Sequence, residues 1–121
     1  MTFAKWVFTL AGLYGLITVP PDYFLEGVMV RRYGPLGQPL WLYGFLGLVV
    51  VFQLIYLQIG RDPPRYRAFM PLALLGKLSF ATTAVLLHLA GRTPTEQVLI
   101  TAPDMVWCAL FAIAWLRTPK T

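Results

Sequence analysis

Charged residues are scarce in this chain of 121 residues, making up 12% of the sequence against 58% hydrophobic residues. Because soluble domains carry about 25% charged residues, this deficit excludes an ordinary soluble domain. The single cysteine, Cys108, excludes an internal disulfide and any Cys-x-x-Cys redox or zinc site. The sequence also lacks a glycine-rich phosphate loop and a serine nucleophile elbow. Together with long apolar runs, these absences indicate a small integral membrane protein with a single domain over residues 1–121.

Four apolar segments have about the length of a membrane-spanning helix, and they are separated by Pro, Gly and charged residues. We therefore predict an all-α fold, an integral membrane four-helix antiparallel bundle. The stretch between the first two helices mixes aromatic, charged, Gly and Pro residues, which is typical of an interfacial loop or a short amphipathic helix. The predicted bounds are about 3–19, 40–59, 68–90 and 98–116 for the helices and 22–39 for the interfacial segment.

The basic residues flank the apolar runs and give a formal net charge of +5. This placement favours contact with anionic lipid over binding to nucleic acid. With four crossings, six cations lie on one side of the membrane and three on the other, so the positive-inside rule predicts both termini in the cytoplasm. The six are Lys5, Arg61, Arg65, Arg67, Arg117 and Lys120, and the three are Arg31, Arg32 and Arg92.

The loop before the third helix contains Arg61, Arg65 and Arg67. Three guanidinium groups in one short loop at the membrane surface are candidates for binding the phosphate of a lipid headgroup. The alternative is a tight turn in which Asp62 pairs locally with Arg65.

Four polar side chains interrupt the apolar helices: Gln53, Lys77, His88 and Asp104. A charge in the membrane core costs about 2.5–3.5 kcal/mol even on lenient scales, so we expect Lys77 and Asp104 to face the bundle interior. Matching the depths of antiparallel helices predicts two contacts, Gln53 with Lys77 and His88 with Asp104. Lys77 and Asp104 differ in depth by roughly 10 Å at 1.5 Å per residue, so their direct pairing is not assured.

This intramembrane polar cluster has three interpretations. It is a structural network that holds the helices together, a functional polar site such as a proton path or a pocket for a ligand headgroup, or, for Lys77 alone, a snorkelling side chain. A lone histidine such as His88 is more often a hydrogen-bonded structural residue than a metal ligand, and no metal-ligand spacing is present. We therefore expect no metal and no cofactor.

The loop Arg61-Asp62-Pro63-Pro64-Arg65-Tyr66-Arg67, followed by Gly76-Lys77 and later by Asp104, resembles a pattern found in a widespread group of small bacterial membrane proteins. Those proteins have an Asp-Pro-x-x-Tyr-Arg-like loop before helix three, a lysine in that helix and an aspartate in helix four. Their general layout is similar to that of DoxX-like proteins. The resemblance covers roughly residues 40–117 and implies a four-helix fold in a bacterial inner membrane, but no particular activity.

Three classes of function fit the sequence. The first is an accessory subunit of a larger bioenergetic or transport complex, since the chain is small and has no catalytic motif. The second is a binder or carrier of a lipid or quinone that uses a cavity at Lys77, His88 and Asp104. The third is a small membrane enzyme with His88 and Asp104 as acid and base.

A subunit would need a face of small and aromatic residues for a partner helix, because membrane interfaces depend on close packing. Helix one has such a face, and helix four has another, so we expect a larger partner protein at one of them. The first face consists of Ala4, Phe8, Ala11 or Gly12, and Gly15, and the second of Ala109, Ala112 and Ala114 or Trp115.

Overall fold

The computed structural model describes residues 2–33, 39–93 and 95–119, and within these ranges it contains helices and no strand. The predicted all-helical fold is therefore confirmed. Two short 3-10 turns, at Pro20–Phe24 and Arg67–Phe69, separate some of the α-helices. The helices are α1 (Phe3–Thr18), α2 (Glu26–Tyr33), α3 (Pro39–Arg61), α4 (Met70–Leu89), α5 (Thr95–Ile100) and α6 (Ala102–Arg117).

Three segments of the described chain are long and apolar enough to cross a membrane, as in an integral membrane protein: Phe3–Phe24, Pro39–Arg61 and Arg67–Leu89. The fourth predicted helix is instead divided into α5, of 6 residues, and α6, of 16 residues. Each is shorter than the roughly 20 residues that a span requires. Residues 95–117 therefore do not form one continuous helix of the length that a span requires.

Pro103 explains the break between α5 and α6. It has no backbone N–H, and its ring would collide with the carbonyl of Leu99 in a continuous helix. The buried Thr101 uses its hydroxyl to donate to the carbonyl of Val98 at 2.6 Å, a local bond that competes with helical hydrogen bonding. A new helix then begins with Pro103 in its first turn, where a missing N–H is tolerated.

The core lies where α1 packs between α3 and α6. The ring of Phe8 stacks on that of Phe111 with centroids 4.5 Å apart, and Tyr56 meets Phe111 edge-on at 5.0 Å. All three side chains are buried, so one aromatic cluster joins α1, α3 and α6. Helix α4 packs mainly on α6 and touches α3 only at a few points.

Helix α1 approaches α3 closely because glycines face the partner helix. A Cβ atom at Gly12 would lie 2.8 Å from the backbone carbonyl oxygen of Gln53 and 2.6 Å from Cγ of Leu57. A Cβ atom at Gly15 would overlap the side-chain amide of Gln53. Small residues therefore allow the two backbones to meet.

The face of helix one that the sequence suggested for a partner protein is buried within the chain itself. Its alanine and phenylalanine side chains are at most 3% exposed and its glycines are also buried. This face packs on α3 and α6. This placement of the partner surface is wrong, because small residues permit close packing without indicating whether the neighbouring helix belongs to the same chain. Those residues are Ala4, Phe8, Ala11, Gly12 and Gly15.

Arg67 caps the C-terminus of α6, at the end of the bundle that contains the turn at residues 62–66. Its Nε donates to the carbonyl oxygen of Thr118 at 2.8 Å and its Nη2 to that of Trp115 at 3.4 Å, while the guanidinium lies 5.6 Å from the Trp115 ring. A cation here complements the negative end of the helix dipole. Arg67 is thus used within the protein, and Arg61 and Arg65 are the exposed arginines of this loop.

At the opposite end, α2 is held against the start of α3. The hydroxyl of Tyr43 donates to Oε2 of Glu26 at 2.7 Å, and the rings of Tyr23 and Tyr43 stack with centroids 5.8 Å apart. The interfacial segment predicted at 22–39 thus contains a short helix, while residues 34–38 lie outside the described residues.

Candidate functional site

Helices α3 and α4 follow each other in the chain but diverge after the turn that joins them, and a cavity of about 550 Å³ lies between them. Its walls come from α3 and α4, and its floor from α1 and the start of α6. The lining residues Phe45, Leu48, Ser79 and Phe80 are exposed and lie on the two walls. These residues leave the cavity open sideways, between α3 and α4, and the exposed Tyr14 and Thr18 of α1 also border it.

Two contacts cross the opening. The rings of Phe45 and Phe80 stack with centroids 5.4 Å apart. Deeper in the cleft, Phe52 packs against Gly76, where a Cβ atom would lie 3.1 Å from the Phe52 ring. These contacts narrow the mouth of the cavity without closing it, and they give it an aromatic rim.

The polar end of the cavity contains a direct ion pair between α4 and α6. Nζ of Lys77 donates to Oδ1 of Asp104 at 2.8 Å, and the two side chains are 11% and 23% exposed. Nζ also lies 5.5 Å from the centroid of the buried Tyr56 ring, a cation–π contact. Each charge thus has an opposite charge beside it, which is how ionisable side chains are accommodated inside a membrane.

The sequence identified both members of this pair as interior residues but did not match them in depth. The helical segment begins at Thr95, three residues before the predicted start. Asp104 therefore lies about 4.5 Å further from that end of the helical segment than predicted, at 1.5 Å per residue. The long side chain of Lys77 covers the remaining distance. The predicted partner of Asp104, His88, is therefore not the one found.

His88 lies three turns further along α4 than Lys77, or about 16 Å at 1.5 Å per residue, and does not line the cavity. Its Nδ1 is 3.0 Å from the carbonyl oxygen of Thr93, so it holds the end of α4 against the following turn. The pairing of His88 with Asp104, on which an acid–base enzyme would depend, is absent from the described residues.

Gln53 lines the cavity from α3 and is only 2% exposed. Its Nε2 donates to the carbonyl oxygen of Val49 at 2.9 Å, one turn earlier. Its Oε1 is buried and accepts no hydrogen bond from any described residue. Gly15 provides the space for this amide, since any side chain at that position would overlap it. The predicted contact of Gln53 with Lys77 is not among the hydrogen bonds of the described chain.

Sequence reasoning missed several lining residues. Asp22 and Thr18 border the cavity from the end of α1 and the turn that follows. The hydroxyl of Thr18 already donates to the carbonyl of Tyr14 at 2.9 Å. The aromatic residues of the walls gave no signal at all, because Phe in an apolar helix looks the same whether it faces lipid, core or a cavity.

The arrangement combines apolar walls, a sideways opening and a small polar end. Its volume lies within the range of about 300–1,000 Å³ that small-molecule sites occupy. Lys77 and Asp104 compensate each other, so the polar end has hydrogen-bonding groups and little net charge at the pair. Among the residues that the structure describes, no three His, Cys, Asp or Glu side chains come together as metal ligands.

Comparisons with known protein families, with curated proteins and with solved structures find no match to this chain.

Proposed function

We propose that this protein is an integral membrane protein that binds an uncharged amphipathic molecule of the lipid or quinone class in the cleft between α3 and α4. The observation that carries the proposal is the cavity itself. It has apolar walls, it opens between the two apolar helices α3 and α4, and its polar end contains Lys77, Asp104 and Gln53. An aliphatic chain suits the walls, and a polar headgroup suits the far end.

The headgroup is uncharged because the polar end already contains a matched pair of charges. Lys77 and Asp104 are joined at 2.8 Å, and an added ion would compete with one of them for the other. Separating a buried pair leaves an uncompensated charge, which is strongly unfavourable. A neutral headgroup leaves the pair intact and still accepts a further hydrogen bond from the ammonium of Lys77, which has three donors.

The proposed topology has four crossings, the last of them formed by α5 and α6 together. These helices cover Thr95–Arg117, a path of about 34 Å at 1.5 Å per residue, which is enough for the hydrocarbon core. Pro103 and Thr101 produce a break within this crossing. The break lies next to Asp104, which forms the ion pair with Lys77. Non-helical backbone at such a depth is tolerated beside a cavity, and Pro103, two residues after the break at Thr101, lines one.

Both termini are expected on the cytoplasmic side of a bacterial inner membrane. The side with the N-terminus carries twice as many cations as the other, which favours its retention in the cytoplasm. A reporter that is active only in the cytoplasm, fused after Thr121, should be active. A reporter that is active only outside, fused at the same place, should be silent, and the reverse pattern would overturn the topology.

Blocking the cavity tests the binding proposal. We expect Val49→Trp, which points a large side chain into the cavity, to abolish most of the binding of a small amphipathic molecule. Val51→Trp is the matched control, because Val51 lies on the same helix, is 51% exposed and does not line the cavity. The measurement is native mass spectrometry of the protein extracted from membranes in a mild detergent.

Retention of the bound mass in Val51→Trp and its loss in Val49→Trp would support the proposal. Equal retention in both variants would place the molecule elsewhere. A larger protein that copurifies in fixed proportion, with no small molecule bound, would instead favour the accessory-subunit role, for which the exposed Ala109 and half-buried Ala112 of α6 offer small residues.

A further inference from the structure

We infer that the headgroup of the bound molecule carries a hydroxyl group that donates a hydrogen bond to Oε1 of Gln53. The inference rests on the proposed function and specifies its ligand: an uncharged amphipathic alcohol or phenol, such as a hydroquinone, an alkylphenol or an acylglycerol. It depends on the one buried acceptor in the cavity that the described protein leaves without a donor.

The orientation of the Gln53 amide is fixed by its neighbour in α3. Nε2 donates to the carbonyl oxygen of Val49 at 2.9 Å. Turning the amide over would bring Oε1 against that carbonyl, so two acceptors would face each other and no hydrogen bond would form. The group left for the cavity is therefore the oxygen, and only a donor completes it.

The protein does not provide that donor. The side-chain hydroxyl of Thr18 is engaged with Tyr14, and the ammonium of Lys77 bonds Asp104 and makes no hydrogen bond to Oε1. Buried polar atoms are nearly always hydrogen-bonded, and an unpaired one in a native structure calls for a ligand, an ion or a water. Its position on the wall of a cavity with a sideways opening favours a ligand.

The charge of the cavity selects a hydroxyl among possible donors. An ammonium or guanidinium group would compete with Lys77 for Asp104 and leave one positive charge uncompensated. A carboxylate or phosphate would place its own lone pairs against Oε1, where no attraction is available. A neutral hydroxyl donates to Oε1 and carries no charge to disturb the Lys77–Asp104 pair.

Three probes that differ at one position test this inference: 4-dodecylphenol, 4-dodecylanisole and dodecylbenzene. Only the phenol has a donor, and dodecylbenzene shows whether the additional methyl group of the anisole is merely too large. Affinities for the full chain in detergent micelles, expressed per mole fraction of probe in the micelle, should favour the phenol about tenfold over both others, because an unpaired buried acceptor is costly.

In Gln53→Met, which has a similar volume, this preference should fall to about one, and Gln58→Met should keep it. Gln58 lies on the same helix, is exposed and does not line the cavity. If Gln53→Met does not fold, two measurements on the wild-type protein decide. One is the preference for the phenol, and the other is the NMR resonance of the side-chain carbonyl carbon Cδ of Gln53, which the phenol should shift and the anisole should not.

The possible failures are distinguishable. If all three probes bind the wild-type protein equally, the hydroxyl inference is overturned while binding in the cleft stands. If none binds, the proposed function itself fails. A preference for the phenol that survives in Gln53→Met also overturns the inference, because another group would then be the acceptor.

Discussion

Asp104→Leu is expected to lower the free energy of unfolding by about 3 kcal/mol, and Lys77→Met by a similar amount, because each leaves the other charge buried and unpaired. The double variant Lys77→Met/Asp104→Leu should recover most of that loss, since two apolar side chains fill the same space without a charge. The pair joins α4 to α6 at 2.8 Å and is largely shielded from outside, so the effect should be among the largest in the protein.

The measurement is reversible unfolding of the purified protein in detergent for the wild type, both single variants and the double variant. Asp62→Leu is a suitable control, because Asp62 is an exposed acidic residue in the turn that connects α3 to α4. Single variants as stable as the wild type would show that the pair is satisfied by water from the cavity rather than by its partner. A double variant worse than either single one would show that the pair is needed for folding.

Gly12→Ala is the second substitution with a large expected effect, a loss of about 1–3 kcal/mol from overpacking. The new methyl group would meet the backbone carbonyl oxygen of Gln53 at 2.8 Å, and backbone cannot turn aside as the end of a side chain can. Helix α1 must therefore move away from α3, which also disturbs the buried amide of Gln53.

Gly44→Ala provides the control. Gly44 lies inside α3 with nothing within 4 Å of its Cβ position, so alanine there should be neutral or stabilise the helix by up to about 1 kcal/mol. Thermal unfolding in the same detergent compares the two. Equal effects of both variants would mean that α1 and α3 are not as close as the structure has them.

The helical fold could be predicted because its signals are local. Long apolar runs, the Pro20-Pro21 and Pro63-Pro64 pairs and Gly91 define where helices end, and the described bounds lie within a few residues of those predicted. Gly91 has a backbone φ of 74°, the left-handed conformation that glycine adopts most readily at the end of a helix. The division of the last helix at Thr101 was missed, although Pro103 was the available signal.

The candidate site could be predicted only as a set of residues. Lys77, Asp104 and Gln53 stand out because polar groups in apolar helices need interior positions, and the structure brings all three to one cavity. Their partners could not be derived, because an error of three residues in a helix start shifts the depth by about 4.5 Å, which is more than the length of a hydrogen bond. Neither could the cleft, since helices that are apolar all round do not indicate which of them are neighbours.

The order of packing around the bundle has a consequence for how the chain is made. Helix α4 contacts α3 at few points and relies on α6, which is synthesised after it. The α3–α4 hairpin therefore has little packing of its own before α6 is made. Until residue 104 leaves the ribosome, Lys77 has no counter-charge within the apolar helix that carries it. A chain that stops before residue 104 therefore keeps an unpaired lysine within an apolar helix, and the energetic cost of that lysine is relieved only when α6 arrives.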